Sequence, residues 1–177
     1  MNLFDMNSDV ITMNIDGKDI AMKTAICYGK IYDRWLVSEC GKVWSKKYNK
    51  LLEGHQSYYH NKNSKKLKDI SYDVSVDEAD WWGDGSGILN SSGCSWRRKI
   101  RAHKMIIDTW APLYDNPPEG IVWEEWKIVR DLSTVFGFIS KSVVIDHIDD
   151  DSTNNHIDNL RRVTQWDNNS TRKARGI

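Results

Sequence analysis

"DHIDDDSTNNHIDNLRRVTQWDNN", Asp146 to Asn169, crowds carboxylates and amides around recurring apolar residues, Ile148, Ile157, Leu160 and Val163. A flexible tail has no need of such anchors, and a hydrophobic core does not take in so many unpaired carboxylates. The flanking sequence supplies the frame. "SVVIDH" before it is a short apolar run suited to a buried strand, and "NLRRVT" is a second one. Between them Asp149 to Asn154 form a polar loop. Thr164, followed three residues later by Asp167, reads as a capping box that starts a helix through "QWDNNSTRKAR". The order is strand, loop, strand, helix.

On that frame Asp146 and His147 fall at the end of the first strand, and Asn168 falls in the first turn of the helix. A helix packed across the hairpin brings Asp146 and Asn168 toward one point. Both offer oxygen, and a small oxygen set suits Mg2+, which keeps waters and shares its shell with phosphate. His147 beside such a site is fit to take a proton from water, because an imidazole with pKa ~6.5 is largely neutral at cellular pH. Successive strand residues point to opposite faces, so this geometry requires the strand to twist or end at His147.

The segment resembles the HNH, or ββα-metal (His-Me finger), nucleases, and among them the phage-type HNH homing endonucleases. The resemblance rests on Asp146-His147-Ile148-Asp149, Asn154-Asn155, Asn159-Leu160, Val163-Thr164 and Asn168, in that family's order and spacing. It implies His147 as general base, Asp146 and Asn168 as metal ligands, and Asn159 as the residue that braces the loop and orients the base. Asn at the last position makes this an H-N-N variant similar to the endonuclease VII type. That type usually adds a cysteine zinc site, which this sequence lacks, so no structural zinc is expected. The loop carries Asp150-Asp151 where Gly-Asn or Gly-Asp is commoner. The resemblance further implies Mg2+ as cofactor with Mn2+ substituting, double-stranded DNA as partner, and a long, tolerant homing site. It implies 3′-hydroxyl and 5′-phosphate ends, and a phage protein acting in the host cytoplasm, with room for a homodimer. The alternative is a DNA-binding regulator with a catalytically silent nuclease core.

The 177 residues carry 25 basic and 25 acidic side chains, a formal net charge of zero, so a generic polyanion binder is disfavoured and the distribution of charge matters more. Arg97, Arg98, Lys99, Arg101 and Lys104 form the densest basic cluster. Arg161, Arg162, Arg172, Lys173 and Arg175 form a second around the motif. Two such runs beside a metal-phosphate motif read as a DNA-facing side rather than a solvated face. Nine tryptophans are core or packing residues for the most part, with some able to stack on bases. Cys27, Cys40 and Cys94 lie far apart, against a cysteine metal site or a disulfide framework. No apolar run approaches the roughly 18 residues of a membrane span, and the N-terminus lacks the basic start of a signal peptide. The expectation is a cytosolic, reduced protein with no membrane partner.

Upstream, "VITMNIDGKDIAMK" holds two alternating runs around Asp16-Gly17, a hairpin signal. "YDRWLVSECGKVWSKKYNKLL" repeats the pattern, with Val37, Val43 and Trp44 flanking a turn at Cys40-Gly41. It is similar to the small strand-rich module that often precedes the nuclease core. Residues 53–93 read as a long loop or insertion with some strand in it. In "RRKIRAHKMIIDTWAP", Ile100, Met105, Ile106 and Trp110 follow helical spacing and Pro112 supplies a stop. A second helix is expected in "VWEEWKIVRDLSTVFGF", with Val122, Trp126, Val129 and Leu132 on one side and Gly137 at its end. The architecture expected is α+β: a strand-rich DNA-binding region over 1–96, connecting helices over 97–140, and a ββα-metal core over 141–177.

Several residues carry a plainer reading. A calcium loop starting at Asp149 fails, because Asn154 stands at the required Gly and Leu160 at the bidentate Glu. Asp149, Asp150 and Asp151 read as a solvated turn in which Asp149 fixes the loop. His156 is expected exposed and His103 packed beneath the site. His55 and His60 carry no signal. Asn154 and Asn155 are expected to satisfy loop backbone groups.

Overall fold

The computed structural model describes residues 9–61, 64–75 and 97–174, with backbone alone at 57–61, 64–69, 73–75, 97–99 and 171–174. Cys94, Arg175 and the "DWWGDGSG" stretch therefore lie outside the described residues.

The expected hairpin at Asp16-Gly17 forms between β1 (Ile11–Ile15) and β2 (Lys18–Cys27), with Ile15 opposite Lys18. Its two central residues have φ of 54° and 78°, the positive pair that a two-residue type I′ turn requires. The next turn, into β3 (Lys30–Ser38), uses Tyr28-Gly29 in the same way, at 53° and 71°. Tyrosine is not a turn former, so this second hairpin gave no local signal. β4 (Val43–Ser45) and β5 (Lys50–Leu52) complete an antiparallel sheet in sequence order. Val37, Val43, Ala25, Cys27 and Tyr32 bury one face of it against the helix that follows; Ile15, Met22 and Leu36 bury part of the other.

A second antiparallel sheet, β6 (His55–Asn61), β7 (Ser64–Ser75) and β8 (Arg97–Arg101), occupies part of the stretch expected to be mostly loop. β8 corrects the reading of "RRKIR" as the start of a helix. Ile100 pairs with Tyr72 of β7 and is fully buried, and Arg101 is still extended at φ −69°, ψ 141°. Pairing with a strand some 30 residues away outweighs the weak local helical preference of these residues. The helix α1 (Ala102–Trp110) starts only after it and ends before Pro112, as the proline dictates. Side chains of α1 bond the first sheet's backbone. Ile26 N donates to Thr109 Oγ1 (2.9 Å), Tyr28 N to Asp108 Oδ2 (3.0 Å), and Trp110 Nε1 to Val37 O (3.0 Å).

The single helix expected after residue 122 is two, α2 (Trp123–Arg130) and α3 (Ser133–Ser142), and Gly137 lies inside the second. Leu132, at ψ 88°, leaves the helical region between them. The bend sets Phe136 against Tyr114 (5.9 Å) and Trp126 (5.8 Å between ring centres). Trp126 is fully buried and donates through Nε1 to Tyr114 O, whereas Val122 and Leu132 stay 56% and 53% exposed, so they do not share its face. No described helix is long and apolar enough to cross a membrane.

The chain ends in a two-stranded antiparallel pair, β9 (Val143–His147) and β10 (Leu160–Thr164), followed by α4 (Gln165–Ala174). Asp167 N donates to Thr164 Oγ1 (3.1 Å) while the Thr164 hydroxyl bonds the Asp167 carboxylate, a cap of the expected pair. Several ties dock this hairpin on the rest, among them the following. Arg162 of β10, 5% exposed, reaches Asp108 Oδ1 (3.0 Å) and the carbonyls of Ile107 and Ala111 at the end of α1. Ile157 N donates to Glu39 O (2.8 Å) in the β3–β4 turn.

Candidate active site

His147 is the last residue of β9, and the chain turns there: Asp150 N donates back to His147 O (3.1 Å) and Asp150 takes a left-handed φ of 61°. The strand thus ends where the geometry required it to. Asp146 and His147 serve different neighbours. The Asp146 carboxylate meets Arg161, its cross-strand partner, and the His147 ring meets Asn155 and His103.

His147 Nε2 lies 3.0 Å from Asn155 Oδ1. The Asn155 amide nitrogen points to Thr153 O (3.4 Å), which can only accept, so Oδ1 is the atom turned to the ring. An amide oxygen only accepts as well; Nε2 therefore carries the proton and Nδ1 keeps its lone pair. Nδ1 has no hydrogen bond among the described residues. His103 packs its ring edge-on against His147 at 5.4 Å, the packing role expected for it. Asn155 itself is buried, held between the loop and the first sheet. A Cβ built on Gly41, at φ +86°, would stand 3.3 Å from Asn155 Cβ.

The loop around His147 is organised by Asp149 and Asn159. Asp149 Oδ1 accepts from Asp151 N (2.8 Å) and Asn159 Nδ2 (2.8 Å), and Oδ2 from Asn154 Nδ2 (2.7 Å). Asn159 also accepts from Asp149 N (3.0 Å) and donates to Asn154 O (2.8 Å). Those bonds, the Asn154 amide first, hold the Asp149 carboxyl below its ordinary pKa, and Thr153 does the same for Asp151. Among the described residues the Asn159 side chain bonds the loop and not His147; the side chain on His147 is Asn155. The sequence marked Asn154-Asn155 as a pair, but nothing local tells which of two adjacent amides turns inward. His156 is half-buried and accepts from Asp158 N (3.3 Å).

β9, which carries Asp146, is in contact with α4, which carries Asn168, and both side chains offer oxygen. Asp146 Oδ2 takes two bonds from Arg161, at 3.0 and 2.8 Å, and Oδ1 takes none among the described residues. Asn168, half-buried in the first turn of α4, makes no hydrogen bond of its own among the described residues. No group of three or more His, Cys, Asp or Glu side chains gathers among the described residues. A metal here would be held by one carboxylate, one amide and oxygens from water or phosphate, which is the way Mg2+ is commonly bound.

Residues 134–170 match the HNH endonuclease family. The matched HNH segment runs from α3 into α4 and contains Asp146, His147, Asn155, Asn159 and Asn168. One solved structure, described as DNA binding and cleavage by the HNH homing endonuclease I-HmuI, is similar at 19% identity and a TM-score of 0.41. That similarity covers 81% of this chain and 53% of that one, so this chain spans about half its length. No curated protein matches the chain.

The expected basic surface around the HNH segment is reduced. Arg162 is buried on Asp108 rather than open to DNA, and burial lowers its pKa. Arg161 is held between Asp146 and Glu119 Oε2 (2.7 Å), bonds that, Asp146 first, keep its guanidinium even more firmly protonated. Both arginines face protein partners that lie 15 to 55 residues away in sequence. Lys104 pairs with Asp108 (2.8 Å) and lies over the Tyr28 ring. Arg101 is exposed at the end of β8. The side chains of Arg97, Arg98, Lys99, Arg172 and Lys173 are outside the described set, though their backbone lies in β8 and α4.

Proposed function

We propose that the protein is a metal-dependent DNA endonuclease in which His147 is the general base, and Asp146 and Asn168 hold the ion. The observation that carries this reading is the His147 ring, tied through Nε2–H to Asn155 so that Nδ1 is left to accept. His147 Nδ1 takes a proton from water, the resulting hydroxide attacks the phosphorus of a phosphodiester, the P–O3′ bond breaks, and the leaving 3′ oxygen takes a proton from solvent water. The products carry 3′-hydroxyl and 5′-phosphate ends. Asp146 and Asn168 would hold Mg2+ or Mn2+, which would supply Lewis-acid stabilisation for the charge that builds on the phosphate and the leaving oxygen. Asn159 and Asp149 keep the loop rigid beneath the base, and His103 and Asn155 restrict the ring to one orientation.

Double-stranded DNA is the substrate of this reading, met by the basic strand β8 and its exposed Arg101. A phage homing enzyme with a long, tolerant site, acting in the host cytoplasm, is the finer form of the proposal, supported by the motif's resemblance to that group. Supercoiled plasmid incubated with Mg2+, Mn2+ or chelator tests it. Nicking or linearisation is expected only with metal, and His147→Ala should lose about 10²–10⁴-fold in rate while binding DNA almost as well. Binding with no cleavage under any metal would return the protein to the role of a DNA-binding regulator.

A further inference from the structure

Arg161 bonds the candidate metal ligand Asp146 with two nitrogens and Glu119 with a third. Nε and Nη2 both donate to Asp146 Oδ2, at 3.0 and 2.8 Å, and Nη1 donates to Glu119 Oε2 at 2.7 Å. Glu119 comes from the turn after α1, a stretch that the HNH match does not include. Its own amide donates to Arg162 O (2.8 Å), so the turn is pinned to β10 next to the arginine it serves. Side-chain exposure rises outward along the relay, 12% at Asp146, 23% at Arg161 and 55% at Glu119. A guanidinium held at both ends cannot swing away without breaking bonds to two carboxylates at once.

We propose that Arg161 is a positioning residue for the metal site: braced by Glu119, it grips Asp146 by Oδ2 alone and so reserves Oδ1 as the metal ligand. The proposal rests on the metal role given to Asp146 above. A carboxylate free to rotate presents either oxygen in many directions, and ordering it is a cost that binding a metal must otherwise bear. Partners that orient a ligand from outside typically change metal affinity about 10–100-fold. Simple electrostatics argues the reverse sign. A guanidinium charge at hydrogen-bond distance from the ligand repels a divalent cation, so its removal alone should tighten binding. The two effects oppose each other, and the sign of the change separates them.

Mn2+ binding to the full chain without DNA, followed by loss of the free-ion paramagnetic resonance signal, reads this directly. Arg161→Gln and Arg161→Lys should both weaken binding about tenfold or more. Lysine keeps the charge but cannot make the two-nitrogen contact. Glu119→Ala should weaken it less, and Glu119→Gln, which keeps an acceptor for Nη1, should restore most of the loss. Glu119 is exposed, so its variants keep the test open even where an Arg161 variant folds poorly. Asp146→Ala is the control for the underlying reading. If Mn2+ binding survives in Asp146→Ala, the metal site itself is misassigned. If Asp146→Ala abolishes binding while Arg161→Gln binds as tightly as wild type or more so, the site stands and the positioning role is overturned.

Discussion

His147 Nε2 and Asn155 Oδ1 lie 3.0 Å apart, and the Asn155 amide is turned that way by Thr153 O. One buried side chain therefore decides which nitrogen of His147 carries its proton. Asn159 bonds the loop that carries Asn155, at Asn154 O and Asp149 Oδ1.

Asn155→Ala should lower kcat with little change in KM, because Asn155 touches the base and not the substrate. The loss is bounded by what the base itself contributes, about 10²–10⁴-fold. In the wild type, nitrogen-15 spectra should show His147 protonated at Nε2, and the variant should show a mixture of tautomers. A single unchanged tautomer in Asn155→Ala would remove the residue from this role.

The β3–β4 turn reaches the base through the same asparagine. Gly41 and Gly29 both sit at positive φ, +86° and +71°, so alanine at either costs about 1–2 kcal/mol of stability. Only at Gly41 would the new Cβ meet Asn155, at 3.3 Å; at Gly29 nothing lies within 4 Å. Gly29→Ala should lower Tm alone, while Gly41→Ala should lower both Tm and the cleavage rate per folded molecule. Equal rates in the two would mean the turn does not bear on the base.

Arg162→Met should unfold more easily by about 3 kcal/mol, the low end for breaking a buried ion pair, since Asp108 keeps its bond to Lys104. Denaturant titration measures this. The salt dependence of DNA binding should stay as in the wild type, because a 5% exposed guanidinium bonded to α1 does not reach phosphate.

β8 supplies the contrasting case. Replacing Arg97, Arg98 and Arg101 with alanine should flatten the slope of log affinity against log salt by up to about 2.7, at roughly 0.9 per phosphate contact. Binding measured without metal at several salt concentrations decides this, and an unchanged slope would put the DNA on another face.

Acid should loosen the loop before it unfolds the rest. Asp149 and Asp151 have folded pKa values below the ordinary 3.8, because their carboxylates accept bonds from Asn154, Asn159, Thr153 and loop amides. The unfolded chain thus binds protons first as pH falls. The stability these bonds contribute is complete above 3.8 and is lost on descending through the folded values. Amide exchange in 149–159 should accelerate over that window in the wild type, and Asp149→Asn should already exchange fast at neutral pH.

The motif and its frame were legible in the sequence because their signals are local. Asp16-Gly17 codes its own turn, Thr164 and Asp167 code their own cap, and the order from Asp146 to Asn168 stands at fixed spacing along one short hairpin and helix. What the tertiary structure alone decided are partnerships across long separations. Arg161 and Arg162 are identical in sequence, yet strand alternation sends one to Asp146 and Glu119 and the other into the core on Asp108. Arg97–Arg101 became a strand only because β7 offers it a ladder. Asn155 rather than Asn154 meets His147, on the side of the loop where the β3–β4 turn packs. Local periodicity encodes which element forms; it carries no information on which distant charge or amide a side chain will meet once the elements pack.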